Sequence, residues 1–534
     1  MPFLKKDQGH RILLLFAGLC IVLLGVMIFA VPPGTDPDPC WGFMIMNSME
    51  HGGHFNLLVS PAFQDIAKDR YEFLAWWSPG QYLLPYFFKL LFKVTTGQAV
   101  SLTIAICSLL GLAGFYRLFK QLGFTKWIAA ISTAFIATQL FFVLPFTYFT
   151  GGEVLIFAFM GWFLYGCFSF KKITWQVLVF LFFSGLIGFF SKSSFLWMYA
   201  AGVACMWINI SMDETNNISL SRYSKKEIIT FLKNGLLLAV PFIGAVAIIY
   251  IFYLSKGITP TSDQGALLVK PETFGYPLAS PMLSAFSVDE LFDGLIYRPD
   301  GSTGITYHSA LLLVFVLAFC SLAFMVVINR FSPTKKYLRA IYVFYIIGVI
   351  FFSYMYLKQA TISYESRHFR IIGLLCLPGF IYLLFKTKVT KAIFFIAWIY
   401  FAYMSFNFFR INYKGNKGAA KGNTGLSQVI YDKATLNEIV RIDREHHNAV
   451  FVVMSSDIGA EIYNNRVITM EDDMPDDFFA TLKYRGKAGP LYILMPARYL
   501  KNGRESNIIK AFTDYHNFAS RQLGPDYYLY YAVD

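Results

Sequence analysis

Residues 12–40 read ILLLFAGLCIVLLGVMIFAVPPGTDPDPC, an apolar run that passes directly into a short acidic segment. The run from Ile12 to Val31 has about twenty residues, long enough to cross a bilayer as one helix. It ends without the small-residue pattern of a signal-peptide cleavage site, so we interpret it as a retained span with a cytoplasmic N-terminus. Asp36 and Asp38 follow, each before a proline. Because proline disfavours the α conformation in the preceding residue, we expect both aspartates in extended or turn conformations.

The composition extends this interpretation to the whole chain. Of 534 residues, 56% are hydrophobic and only 15% are charged, which is typical of a polytopic membrane protein and not of a soluble one. The net charge of +13 comes from short basic clusters between apolar runs, where cytoplasmic loops carry them. The charge therefore indicates topology and excludes a nucleic-acid partner.

Ten further apolar runs bring the predicted number of membrane helices to eleven. They cover residues 99–119, 127–146, 154–170, 173–190, 195–210, 231–254, 309–328, 340–357, 369–385 and 392–409. The segment 79–94 is short and contains Pro85 and two lysines, so it is ambiguous. Counting it as a span would put the basic clusters outside, so we interpret it as an amphipathic helix in the outer interface.

This topology divides the chain into three predicted parts. Residues 1–410 form the membrane domain, with long outer loops at 32–98 and 255–308. A Gly-rich linker covers 411–425, and residues 426–534 form a small extracytoplasmic α/β domain, because strand-like runs such as PLYILMP alternate there with polar helical ones. The basic cytoplasmic loops agree with a bacterial inner membrane. For the outer domain, acceptor binding and structural capping are equal alternatives.

Charged residues recur at the outer ends of the predicted spans. Glu153 opens the fourth span, Lys192 precedes the sixth, and Arg367 and His368 precede the tenth. Each also has a plainer interpretation, since Lys192 can snorkel towards water and Glu365 can pair with Arg367 to orient a turn. The Asp-Pro pairs alone are ordinary turn signals.

Other polar and aromatic residues of the outer loops are weaker candidates. Trp76, Trp77 and Tyr82 suit an interface between lipid and water, as anchors or as surfaces that pack on a sugar or a lipid tail. His51 and His54 have no third ligand nearby and are interpreted as solvated. In the loop 255–308 we expect surface charges at Asp263, Lys270, Glu272, Asp289, Glu290 and Asp293.

Taken in order, these elements resemble the GT-C integral-membrane glycosyltransferases, particularly the branch of dolichyl-phosphate-mannose protein mannosyltransferases and the lipid A aminoarabinose transferase. The resemblance covers about residues 12–410. An acidic residue in the first outer loop is followed by a Trp/Pro/Gly-containing interfacial helix, an acidic residue opening the fourth span and a lysine before the sixth. An Arg-containing turn and an outer C-terminal domain complete the order.

The resemblance implies site residues. Asp38, before the segment CWGFMIMNSME, matches the catalytic aspartate of the family, and Asp36 is the alternative. Glu153 matches the second acidic position. Many members have an acidic residue directly after the catalytic one, where this chain has Pro39. This departure leaves open which aspartate is the base and whether a divalent cation, Mg²⁺ or Mn²⁺, binds at Asp38 and Glu153.

The resemblance also implies a reaction for the remaining residues. Lys192 matches the lysine that contacts the donor phosphate, and Arg367 with His368 would hold the same phosphate. The implied function is transfer of a hexosyl or pentosyl group from a polyprenyl phosphate to a lipid, glycan or protein acceptor in cell-envelope glycan biosynthesis, with inversion. The alternatives are a transporter or flippase of lipid-linked saccharides and a membrane scaffold; few charges lie inside the spans, which disfavours transport.

Overall fold

The computed structural model describes residues 8–212, 224–257, 267–292, 294–296, 305–360, 362–472 and 475–532. The helices are α1 Gly9–Ala30, α2 Pro37–Glu50, α3 Gly80–Phe92, α4 Thr96–Gln121, α5 Lys126–Ile136, α6 Leu140–Val143, α7 Glu153–Ser169, α8 Trp175–Ser191, α9 Phe195–Ser211, α10 Lys225–Phe252, α11 Pro271–Ala285, α12 Tyr307–Phe331, α13 Lys335–Leu357, α14 Arg370–Leu384, α15 Lys388–Gly418, α16 Lys433–Glu445, α17 Ser456–Gly459, α18 Asp476–Thr481, α19 Tyr499–Asn502 and α20 Arg504–Lys510. The strands are β1 Gly34–Thr35, β2 Leu57–Ala62, β3 Asp65–Phe73, β4 Tyr148–Phe149, β5 Ala420–Lys421, β6 Ser427–Gln428, β7 Val450–Val453, β8 Arg466–Thr469, β9 Leu491–Pro496, β10 Ala519–Leu523 and β11 Tyr527–Ala532.

The apolar helices agree with the predicted membrane spans. Within the described ranges, seven helices are long and apolar enough to cross a bilayer, and α5 with the segment Leu140–Phe146, bent by 64°, makes an eighth if the pair crosses as one span. The helices α7, α8 and α9 are shorter and apolar. Each lies on one of the eleven predicted segments, so the predicted polytopic helical architecture is confirmed.

Residues with hydroxyl side chains are the N-caps of several of these helices. Thr125, Thr306 and Thr334 each accept a hydrogen bond from a backbone amide of the first turn. Ser224 does the same for α10, and Glu227 accepts from the Ser224 amide to complete a capping box. These caps satisfy amide groups that lack a carbonyl partner at a helix start, and they fix the ends of the spans.

The helix predicted over residues 79–94 is present as α3. It buries Pro85 and Phe88 and exposes Phe87 and Leu90, so its two faces differ. With 13 residues it is too short to cross a bilayer. Its place at the membrane interface stays a prediction.

One compact unit combines residues 8–23, 105–144 and 152–409 within the described ranges. Its unpredicted element is α11, a largely buried helix inside the expected loop 255–308, with prolines at 277 and 281 that hide its helical pattern. Gly373 of α14 allows close packing on α11, because a Cβ added there would lie 2.4 Å from the Ala285 nitrogen.

The burial of this segment corrects an expectation. Glu272 and Asp289, predicted as surface charges, are both buried, and Glu290 is half-buried. Lys270 is exposed as expected. The loop packs into the helical unit, so its charges need internal partners. Asp263 and Asp293 lie outside the described residues.

The other compact unit combines residues 24–104, 145–151 and 410–532. Its five-stranded sheet has the order β10-β11-β9-β7-β8, in which β7 pairs in parallel with β8 and β9, while β11 pairs antiparallel with β9 and β10. Both faces are covered by apolar clusters, which explains why all four residues of β7 are buried. The predicted C-terminal α/β domain is confirmed.

Two further features of this unit differ from the predicted organisation. The outer segment 32–98 contains the antiparallel hairpin β2–β3, which the sequence did not indicate. Helix α15 continues to Gly418, so residues 411–418 of the predicted linker are helical. The compact unit also joins 24–104 and 145–151 to the chain after residue 410, instead of leaving 426–534 by itself.

Candidate functional site

Four charged side chains of the helical unit meet in what we call the charge cluster: Glu153, Lys192, Glu365 and Arg367. Glu153 is the first residue of α7, and Lys192 directly follows α8. Glu365 and Arg367 belong to the 3-10 turn Ser366–Phe369 and its cap, which lead into α14. Three separate helix ends therefore deliver these side chains to one place.

The carboxylate of Glu153 lies between the two cations. It pairs with the Lys192 ammonium, and its Oε1 is 3.8 Å from Arg367 Nη1. Arg367 Nε pairs with Glu365. The side chains of Lys192 and Glu153 are 20% and 21% exposed, and that of Arg367 is 37% exposed. The cluster is thus partly dehydrated, but solvent or a ligand can still reach its cations.

The cluster has unused hydrogen-bonding capacity. Among the described residues, Glu153 Oε2 is buried and has no hydrogen-bond partner. The Lys192 ammonium carries three donors, and its pair with Glu153 uses one carboxylate oxygen. Lys192 can therefore bind an additional anion without leaving Glu153, beside the positive charge of Arg367.

His368 lies beside the cluster. Its ring packs on Phe352 with centroids 5.9 Å apart, and Nε2 lies 3.4 Å from the Ser363 hydroxyl. His368 could contact an anion through Nδ1, or through Nε2 if its contact with Ser363 is broken. The predicted phosphate contact of His368 stays a prediction.

A buried network, which we call the Arg370 network, holds the turn that carries Arg367. Arg370 pairs with Glu290 and donates to the Ser366 hydroxyl at 3.0 Å and the Ser287 hydroxyl at 3.2 Å. Its guanidinium also packs on a phenylalanine ring, with 4.1 Å to the centroid. Asp289 accepts from the Ser366 amide. The network fixes the turn to the segment after α11.

Burial raises the pKa of the Asp289 carboxyl, because its charged form is poorly solvated there. The nearby Arg370 opposes this effect. The network was not predicted, because Asp289 and Glu290 were expected to be surface charges of a loop. The available signal was Arg370, a cation next to an apolar run, where an ion needs a partner.

The two candidate aspartates lie in the other unit, at the start of α2. Asp36 is the N-cap, with extended backbone angles of φ −69° and ψ 147°, and its Oδ1 accepts from the Asp38 amide at 3.2 Å. Asp38 itself belongs to the first helical turn, so its predicted extended or turn conformation is wrong. Pro37 and Pro39 are tolerated because first-turn amides have no carbonyl partner within the helix.

Neighbouring segments of the same unit hold the start of α2. The Asp36 amide donates to the Phe149 carbonyl at 3.2 Å, beside the parallel pair β1–β4. Ser456 donates to the Pro37 carbonyl at 2.5 Å. Burial, followed by the negative charges of Asp36 and Asp457, raises the pKa of the Tyr148 hydroxyl. The acidic start of α2 is therefore part of a fixed, electronegative surrounding.

Comparison with known proteins identifies the fold. No protein-family model and no curated protein matches the sequence. The apo oligosaccharyltransferase of Archaeoglobus fulgidus superposes with a TM-score of 0.51 at 13% identity, covering 96% of this chain and 73% of that one. Oligosaccharyltransferase AglB from the same organism, in complex with an inhibitory peptide and a dolichol-phosphate, gives 0.51 at 12% identity over 98% and 74%. The chain has the GT-C fold.

A second GT-C protein is less similar. ArnT from Cupriavidus metallidurans, bound to undecaprenyl phosphate, superposes with a TM-score of 0.39 at 10% identity and covers 98% of each chain. The resemblance inferred from the order of elements in the sequence is confirmed for the fold. The roles of individual residues stay predictions.

The three aromatic candidates differ in how deeply they are buried. Tyr82 is fully buried, and its hydroxyl donates to Asn56 Oδ1 at 2.9 Å. The prediction that Tyr82 lies at the interface or packs on a sugar is wrong, because its ring fills the space beside Gly42. Trp76 and Trp77 are half-buried, and their interfacial role stays a prediction.

No group of metal ligands is found among the described residues, at the two histidines or elsewhere. His51 and His54 are exposed, as expected. Over the described ranges, no three His, Cys, Asp or Glu side chains group in a way that could hold a metal ion. Cation binding by Asp38 and Glu153 therefore stays a prediction.

Proposed function

We propose that this chain is a glycosyltransferase that moves a sugar from a polyprenyl phosphate to an acceptor hydroxyl or amine at the membrane surface. The observation that carries the proposal is the charge cluster, in which Lys192 and Arg367 approach one carboxylate at the ends of apolar helices. The GT-C fold supports it, since AglB was solved with a dolichol-phosphate.

The donor explains why cations are needed at helix ends. The tail of a polyprenyl phosphate lies among lipid chains, so its phosphate sits where apolar helices end. When the sugar leaves, negative charge grows on that phosphate, and preorganised cations stabilise it most at that moment. Arg367 suits two phosphate oxygens through its planar fork, and Lys192 acts as a point charge.

Glu153 gives this site its preorganisation. Without a donor, its carboxylate keeps two mutually repelling cations close together. A phosphate that enters the cluster finds both cations in place and does not have to order two long side chains. We assign Glu153 to positioning, with Glu365 holding the other side of Arg367.

Asp38 is the proposed general base. The Asp36 carboxylate already accepts from the Asp38 amide as the cap of α2, which gives it a structural role. Asp38 then takes the proton from the acceptor while the sugar is displaced from the phosphate, and a single displacement inverts the anomeric centre. A pentose or hexose and a lipid, glycan or protein acceptor all fit this chemistry.

The test is the loss of sugar from a panel of labelled polyprenyl-phosphate sugars, using membranes that contain the full chain. We expect one donor or more to be consumed, and Lys192→Gln and Arg367→Gln to lower turnover about 100-fold, the usual cost of one stabilising charge or donor. Lys171→Gln, an exposed lysine after α7, is the matched control and should leave turnover unchanged.

Two results would contradict the proposal. One is the absence of turnover for every donor at equal protein level. The other is turnover that neither cluster substitution affects. Movement of intact donor across the bilayer, without loss of sugar, would instead identify a transporter of lipid-linked saccharides.

A further inference from the structure

The helical unit contains a second charged feature, at helix ends that carry no residue of the charge cluster. A cavity of about 460 Å³ opens beside the start of α1, the end of α4 and the start of α5. Its lining consists of His10, Arg11, Leu14, Leu15, Tyr116, Lys120 and Lys126. We call this the basic cavity.

The basic cavity lies at the opposite end of the helices from Glu153. Helix α7 starts at Glu153, while the last residue of α4, Gln121, donates to the Phe168 carbonyl at the far end of α7, at 2.9 Å. Lys120 is therefore about one helix length from Glu153, roughly 25 Å for a helix of 17 residues. A ligand here cannot belong to the charge cluster.

The charged side chains that line the basic cavity are all positive. The lining contains three cations and no carboxylate among its residues. Arg11 and Lys120 are exposed, so a ligand or solvent can reach both side chains, and the Lys120 ammonium lies over the Tyr116 ring, 5.6 Å from its centroid. His10 is 3% exposed, and within the described part of the chain its Nδ1 is buried and has no hydrogen-bond partner. A buried nitrogen of this kind usually has a partner, which a bound ligand can supply.

Part of the wall of the basic cavity is apolar. Leu14 and Leu15 belong to α1, whose outward residues form an exposed apolar face, with Leu15 73% exposed. Trp127 packs edge-on against the His10 ring, 6.2 Å between centroids, and is itself partly exposed. A free anion would meet the cations but leave this apolar wall unused.

We propose that the basic cavity binds an anionic phospholipid, with the phosphate on Arg11 and Lys120, a hydrogen bond from His10, and an acyl chain along Leu14 and Leu15. Basic cavities between membrane helices recognise such head groups by charge. The inference does not depend on the proposed transferase activity. It predicts that a specific lipid stays with the protein on the side of the membrane away from the reaction.

The test is native mass spectrometry of the full chain in detergent, titrated with phosphatidylglycerol, phosphatidylcholine or inorganic phosphate. We expect phosphatidylglycerol to bind at least about tenfold more tightly than phosphatidylcholine, and the double variant Arg11→Gln/Lys120→Gln to remove that preference. The variant His10→Phe, which keeps a ring against Trp127, should weaken the lipid complex several-fold. Its effect separates a hydrogen bond from general attraction by charge.

The control variant also removes two positive charges, but at positions that do not line the basic cavity. Lys171→Gln/Lys172→Gln changes two exposed lysines just past α7 and should keep the lipid preference. Equal binding of both lipids, or equal loss in the control, would overturn the proposal, since either means that the basic cavity is not selective. Displacement of the lipid by inorganic phosphate at equal concentration would overturn the assignment to a lipid.

Discussion

Replacing Arg370 by methionine tests whether the Arg370 network holds the turn of Arg367. The side chains of Arg370 and Glu290 are 13% and 19% exposed, so the substitution leaves a mostly buried carboxylate without its cation. Removing one partner of a buried ion pair costs about 3–5 kcal/mol. The hydrogen bonds to Ser366 and Ser287 are lost as well, at about 1 kcal/mol each.

The double variant Arg370→Met/Glu290→Met separates these contributions. It removes both charges, so the cost of the uncompensated carboxylate disappears and about 1–3 kcal/mol should remain. The double variant should therefore be more stable than Arg370→Met alone. A control substitution, Arg441→Met, removes an exposed arginine on α16 that pairs with Glu438 and Glu445, and it should change stability little.

The assay is equilibrium unfolding in mixed micelles, followed by tryptophan fluorescence, together with donor turnover for each variant. We expect Arg370→Met to lose stability and turnover, and the double variant to regain part of the stability. If Arg370→Met and Arg441→Met have equal, small effects, the network does not hold the turn. The single variant Glu290→Met completes the set; if the double variant loses as much stability as Arg370→Met and Glu290→Met added together, the two charges are not coupled.

Three further substitutions test packing and charge. Gly373→Ala should lower the free energy of unfolding by about 1–3 kcal/mol, because the added Cβ meets the α11 backbone. Gly244→Ala is the control and should not, since the nearest atom to its Cβ is 3.7 Å away. Thermal unfolding in detergent compares the two variants. Tyr82→Phe should cost about 1–2 kcal/mol in the same assay through the buried hydrogen bond to Asn56. Burial raises the pKa of Asp457, so its ionisation destabilises the folded state. Asp457→Asn should gain stability over wild type as the pH rises from about 4 through the raised pKa, and unfolding measured between pH 4 and 8 would show no trend if burial has no such effect.

The membrane helices could be predicted because their signal is local. A run of about twenty apolar residues has few stable structures other than a helix, so each predicted span matches a helix, except that 127–146 matches the bent pair of α5 and Leu140–Phe146. Counting residues 79–94 as a span would have moved the basic clusters to the outer side, so the segment was not counted. Helix α3 agrees, because its 13 residues are too few to cross a bilayer. Strands β7 and β9 of the C-terminal sheet were predictable for the same reason, since VFVV and LYILMP are continuous apolar runs, whereas β10 is mostly exposed and was not predicted.

Features that depend on tertiary contacts were not predictable. Helix α11 contains two internal prolines and lies between charged segments, so its sequence looks like a loop. It is helical because α12, α13 and α14 pack around it. The burial of Asp289 follows from this packing, and no local pattern indicates it.

The candidate site was predicted in part. The order of charged residues along the chain indicated Glu153, Lys192 and Arg367, and the structure brings these three together. The same reasoning placed Tyr82 at an interface because tyrosine is common there, but its partner Asn56 is distant in sequence. The relation of Asp38 to the charge cluster is a prediction from the family order.

The measurement that tests the central claim most directly compares Asp38→Asn with Asp36→Asn in the donor-turnover assay. Asparagine caps a helix about as well as aspartate, so Asp36→Asn removes a charge at α2 while keeping its start. We predict that Asp38→Asn lowers the initial rate of sugar transfer about 100-fold or more, and that Asp36→Asn stays within a few-fold of wild type. Wild-type rates in Asp38→Asn, with the protein folded, would contradict the account.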